Sequence, residues 1–115
     1  MESVLNTVKR YCGYEEDYTP FDDELIMLIN SSFRKLNRLR VGAYGFNITG
    51  AEETWEQFLV NDYDNFTDTM TFICIDVKLK HDTSSMSSYV INQLKEELNE
   101  LGWQLNCNAE VPTPH

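Results

Sequence analysis

Residues 19–40 read TPFDDELIMLINSSFRKLNRLR, and the fold class is decided here because the start, the buried stripe and the end of one helix are all legible. Thr19 followed three residues later by Asp22 resembles a capping box with Asp in place of Glu, and Pro20 fits the first helical position, where its missing N–H costs nothing. Leu25, Ile29, Ser32, Leu36 and Leu39 recur at steps of four and three, which marks one face of a helix. Asp22, Asp23 and Glu24 crowd the first turn, and Arg34, Lys35, Arg38 and Arg40 lie near the last, so both clusters suit the helix dipole. Ser32, small and central in the stripe, is where a partner helix should approach most closely.

Toward the N-terminus, Val4, Leu5, Val8 and Cys12 predict a short amphipathic helix over residues 3–12, ended by Gly13. Residues 14–18 form an acidic linker between two tyrosines. Toward the C-terminus, Gly42, Gly45 and Gly50 punctuate residues 41–51, which predicts a loop projecting from the body, with Tyr44 in it and Phe46 and Ile48 sharing a face. Thr49 and Glu52 read as a capping box for a short helix whose apolar face is Trp55, Phe58 and Leu59, broken at 61–65.

Residues 66–80 alternate like a strand at Ile73, Ile75, Val77 and Leu79, yet step like a helix at Phe66, Met70, Ile73 and Val77; the length favours helix. Phe72, Ile75 and Leu79 make a second side apolar, as expected of a helix central in the fold or facing a neighbouring subunit. Residues 82–88 supply several N-caps. A second long stripe follows at Val90, Leu94, Leu98, Leu101 and Leu105, widened by Ile91, with Glu96, Glu97 and Glu100 read as a solvated face. Gly102 either stops this helix or is tolerated at about 1 kcal/mol. The expectation is one all-α domain over residues 1–115, a small bundle of about four to five helices, with one glycine-containing projecting loop and an extended, flexible C-terminal tail at about 107–115.

A hydrophobic fraction of 42% with 12% aromatics argues for a packed core and against disorder. No run approaches the roughly 18 apolar residues of a membrane span, and the start lacks the pattern of a signal peptide. A formal net charge of −10 repels nucleic acid as a general surface, which argues against a non-specific DNA binder. Cys12, Cys74 and Cys107 are widely spaced, form no CxxC pair and read as structural thiols. Phosphate loops, GxSxG and HExxH are absent, and Asp62, Asp64 and Asp68 lack the glycine and glutamate of a calcium loop, since Thr67 and Ile73 hold those places. His81 at a helix end and Glu52, Glu53 and Glu56 at a helix start are explained by dipole and capping. No enzyme, metal or cofactor is expected. The cluster Arg34, Lys35, Arg38, Arg40 suits a phosphate or, more economically, an acidic partner subunit.

The order of features then resembles a known family. A short amphipathic helix precedes Tyr18 and Phe21-Asp22, a helix runs through Ile29-Asn30-Ser31 to Leu39, and Val41-Gly42 and Phe46-Asn47-Ile48 follow. Thr54-Trp55 with Phe58, Val77-Lys78-Leu79 and Leu101-Gly102-Trp103 complete the series. It resembles the head-tail connector proteins of tailed bacteriophages, also called head completion or adaptor proteins, over nearly the whole chain. The resemblance implies a structural virion protein that forms a ring of about twelve copies beneath the portal. Such a ring, assembled in the host cytoplasm and located at the head-tail interface, would extend the DNA channel toward a downstream stopper or tail-completion protein. Its partners would be the portal and further copies of itself, with genomic DNA passing through without sequence-specific binding, and no membrane. Arg34, Lys35, Arg38, Arg40, Trp55, Phe58, Phe72, Ile75, Leu79 and Trp103 are the candidates for subunit or portal contacts, and Tyr44, Phe46 and Ile48 for the projecting loop. Two alternatives remain: a small cytosolic helical adaptor that binds a partner helix in a groove lined by Trp55 and Phe58, and an enzyme built on the carboxylates near Glu52.

Overall fold

The computed structural model describes residues 2–60, 63–81, 83–84 and 86–110. Asp62, Asp82, Ser85 and the tail at 111–115 with its Pro112, Pro114 and His115 lie outside the described residues. Five helices follow in order: α1 (Val4–Tyr11), α2 (Asp22–Arg38), α3 (Trp55–Leu59), α4 (Phe66–His81), preceded by a 3-10 turn at Tyr63–Asn65, and α5 (Ser88–Glu110). The fold is all-α; among the described residues the extended backbone amounts to one isolated bridge between Ser3 and Thr54.

α4 is the central element, with α1, α2, α3 and α5 all packed against it. Ser32 and Glu24 of α2 meet Asp76 and His81 of α4 respectively, so the two helices are antiparallel. α5 begins at Ser88, shortly after α4 ends at His81, and its Gly102 lies against Phe72 in the first half of α4, so α5 is antiparallel to α4 as well. α2 and α5 therefore point the same way. The apolar circumference of residues 66–80 is thus explained within one chain: Phe72, Ile73, Cys74, Ile75 and Val77 are all buried.

The helix starts show where local signals are overridden. α1 begins as expected, with Ser3 Oγ accepting from the Asn6 N–H at 3.3 Å. α2 begins at Asp22 rather than at Pro20, and no side chain caps it. The expected Thr19–Asp22 box is displaced by a stronger demand: Lys9 is buried to 1% exposure and its ammonium requires the Asp22 carboxylate, 2.9 Å away. α3 starts at Trp55, and its capping box is Thr54–Gln57, with both reciprocal hydrogen bonds made. Thr49 is not paired with Glu52; Glu53 accepts instead from the Thr49 N–H, the Thr49 hydroxyl and the Gly50 N–H, closing the turn before α3. Ser87 Oγ accepts from the Val90 N–H at the start of α5.

Two expectations at the chain's loop and tail are corrected. Residues 41–51 do not project as a unit but fold back along α2. Asn37 donates to the Val41 and Ala43 carbonyls, Arg34 to the Phe46 carbonyl and Asn47 Oδ1, and Asn30 exchanges two hydrogen bonds with the Ile48 backbone. These three polar residues occupy one side of α2, and in the sequence they look like a solvated face. Phe46 packs on Phe33 and Phe58, and Ile48 is buried, so only the tip at Tyr44, 94% exposed, stands clear. α5 runs through Gly102 and on to Glu110, so residues 107–110 are helix rather than tail. Val90, by contrast, is exposed, and the apolar stripe of α5 becomes fully covered only at Leu105.

Trp55 and Phe58 are both fully buried, so the groove of the adaptor alternative does not exist in this fold. Trp55 Nε1 donates to Thr7 Oγ1 at 3.0 Å, tying α3 to α1, and Phe58 stacks on Phe33 at 4.4 Å between ring centroids. The Phe58 ring also lies against Gly42, whose φ of +77° and bare α-carbon are both required: an added Cβ would sit 2.1 Å from the ring. Gly42→Ala should therefore lower stability by about 2–4 kcal/mol, from a left-handed backbone strain plus overpacking. A fall in the urea midpoint, with the far-ultraviolet helical spectrum kept at low denaturant, is the expected readout.

Candidate assembly surfaces

The residues with chemistry to offer divide into those consumed by the fold and those left outward. Asp76 belongs to the first group. It is 3% exposed in the middle of α4, and its two oxygens accept from Ser32 Oγ at 2.6 Å and Lys35 Nζ at 2.8 Å, with Lys80 Nζ 3.5 Å away. Burial alone would raise its pKa, but the hydrogen bonds from Lys35 and Ser32 and the charges of Lys35 and Lys80 outweigh it and hold the carboxyl below its ordinary range. The result is a structural ion cluster joining α2 to α4. His81 is likewise enclosed, between the Tyr14 hydroxyl at 2.8 Å and the Glu24 carboxylate at 2.6 Å, with the rings of Tyr14 and Phe21 edge-on. Burial pushes the Cys74 thiol up to about 12 and raises that of Cys12, so neither has thiolate character near neutrality.

Among the residues singled out from the sequence, Trp55, Phe58, Phe72, Ile75 and Ile48 lie inside the chain and present no surface to a partner. Leu79 and Phe46 are half-buried. Arg34 is half-buried and holds the loop; Lys35 holds Asp76. Four remain exposed: Arg38, Arg40, Tyr44 and Trp103. Arg38 and Tyr44, with Arg34 and Asn37, surround a hollow of about 250 Å³ at the C-terminal end of α2. Leu39, at that same end, lies against Gly102, which places Trp103 nearby. The structure adds exposed apolar residues that the sequence reading passed over, Met27 at 68% and Tyr89 at 72%.

Arg40 is conspicuous in its backbone. α1 ends at Gly13, φ +88°, with Tyr14 N–H donating to the Lys9 carbonyl and Gly13 N–H to that of Arg10. α2 ends in the same Schellman motif, Val41 N–H to Leu36 and Arg40 N–H to Asn37, but with arginine at φ +66° in the position that glycine usually fills.

A family model described as phage connector protein matches residues 4–112. The chain belongs to the phage connector protein family. Comparison with curated proteins and with solved structures returned no match. A phage connector protein has a structural connector role, and no helix among the described residues is long and apolar enough to cross a membrane.

Two outcomes are expected for the phage connector fold. Asp76→Asn should cost about 1–3 kcal/mol at neutral pH. Because the folded pKa of Asp76 is depressed, its stabilisation is fully present above the ordinary value near 3.9 and is lost as pH falls through the folded one. The gap between wild type and variant in urea titrations should therefore close on acidification, and a gap that stays constant would assign the effect to shape rather than charge. Arg40→Gly should stabilise the monomer by about 0.5–1 kcal/mol, seen as a higher melting temperature.

Proposed function

We propose that this phage connector joins the portal to the tail: a ring of copies docks on the outer end of the portal after DNA packaging and extends the channel through which the genome leaves. The family match over residues 4–112 carries the reading. Three features of the chain support it. The buried titratable groups Lys9, Asp76 and His81 are held in structural pairs. The outward polar surface is strongly acidic overall, which suits a conduit that DNA must traverse without adhering. Exposed cations and aromatics gather at one end of α2 beside Trp103, as a subunit contact requires. About twelve copies follow from the family resemblance and from matching the symmetry of a portal ring. A stopper or tail-completion protein is the expected neighbour on the far side.

Purified protein added to DNA-filled, tail-less particles that lack it should add density at the outer end of the portal in electron micrographs. Particles assembled without it should leak DNA and carry no tail. Density elsewhere on the capsid, or full tailing in its absence, would overturn the role.

A further inference from the structure

The outward faces of α5 and α2 carry complementary side chains at the same spacing. On α5, Tyr89, Gln93, Glu96, Glu100 and Trp103 recur at steps of four and three, all exposed, on the side opposite the stripe from Leu94 to Leu105. On α2, Met27, Ser31, Arg34 and Arg38 recur at the same steps, opposite the core face of Leu25, Ile29 and Leu36. Glu96, Glu100 and Arg38 make no ion pair among the described residues. Arg34 commits Nη2 to the loop, while its Nη1 and Nε make no hydrogen bond among them.

We propose that the α2 face of one copy packs in parallel on the α5 face of the next, with Met27 against Tyr89, Arg34 against Glu96 and Arg38 against Glu100. The inference rests on the connector role and says which surfaces of neighbouring copies meet. Three observations converge on a second copy as the occupant. One register satisfies every pair, because the sequence offset between the members is the same throughout. The two arginines and the two glutamates are each spaced i, i+4, so both ion pairs form along one line of contact. α2 and α5 point the same way within the chain, so a rotation about an axis along the helices brings them together in parallel. The two faces differ, which makes the contact heterologous, the kind that closes into a ring. The seam also accounts for an arginine rather than glycine at residue 40, since the register brings Trp103, one step beyond Glu100, to the end of α2 where Arg40 is held.

Arg38→Glu and Glu100→Arg test the seam as single variants, as a double variant in one chain, and as a mixture of the two single-variant proteins. Sedimentation velocity reads self-association, electron microscopy counts occupied portal ends, and circular dichroism checks that each exposed substitution leaves the helices intact. Each single variant should lose occupancy by at least about tenfold, because like charges then oppose along every seam. The double variant and the equimolar mixture should recover it, since opposite charges face each other again. Single variants that assemble like wild type, or a mixture that is not rescued, overturn the seam while wild-type occupancy still upholds the connector role. Wild-type protein that never occupies the portal end overturns both.

Discussion

A buried carboxylate sets the geometry of this chain. Asp76 interrupts an otherwise apolar run at the centre of α4, and an ionised group at 3% exposure is tolerable only with partners in place. Ser32 and Lys35 supply them from α2, and because both lie on one side of α2 they fix its rotation and its register along α4 together. A hydrophobic contact alone tolerates sliding; a carboxylate needing two donors does not. Once that register is set, Glu24 reaches His81 at one end and Leu39 reaches Gly102 at the other, so the placements of the acidic linker and of α5 both depend on it.

The remaining polar clusters repeat this logic on a smaller scale. Lys9 anchors α1 to the start of α2 through Asp22 and to the linker through the Glu16 carbonyl at 2.6 Å. Asn30, Arg34 and Asn37 bind the loop to the opposite side of α2. These attachments let Phe33, Phe46 and Phe58 form one aromatic cluster, with Trp55 against Phe66 beside it, in a chain of only 115 residues. Phe33, Phe58 and Trp55, which would make good contact residues elsewhere, are therefore unavailable to a partner here.

The elements were legible where periodicity and length agreed. The stripe in residues 19–40 and the stripe from Leu94 to Leu105 depend on spacing, which tertiary structure reinforces, whereas the helical reading of 66–80, where spacing is ambiguous, depends on length. What escaped was set by contacts between distant residues. Nothing near Thr19 announces that Lys9 claims Asp22, and the pattern at Thr49–Glu52 draws attention from the box five residues on, Thr54–Gln57, that actually starts α3. The loop's placement is not legible because the side chains that hold it, Asn30, Arg34 and Asn37, are polar, and polar residues on a helix surface look solvated when their partners are distant in sequence. Asp76 carried a usable signal, a lone carboxylate in FICIDVKL, which buried helices keep only with a partner. The aromatic ends of the α5 face were visible too, as a four-and-three repeat opposite the leucines.

The distribution of positive charge gives association a direction. Nine basic residues face nineteen acidic ones. Lys9 is consumed by Asp22, Arg10 by Glu2 and Glu16, and Lys35 and Lys80 by Asp76, while Arg34 gives only its Nη2 to the loop and Lys78 lies over the Tyr11 ring. Arg38, Arg40 and Lys95 are left without an ion pair among the described residues, and the first two adjoin one another at the end of α2. Two identical, strongly acidic bodies repel over most orientations, and the repulsion is lifted only where that end of α2 meets an acidic face. A like-on-like contact through the same patch would oppose arginine to arginine. Electrostatics therefore disfavours only a contact of that patch with itself; in the proposed head-to-tail seam each copy would give its basic edge to one neighbour and its acidic edge to the other.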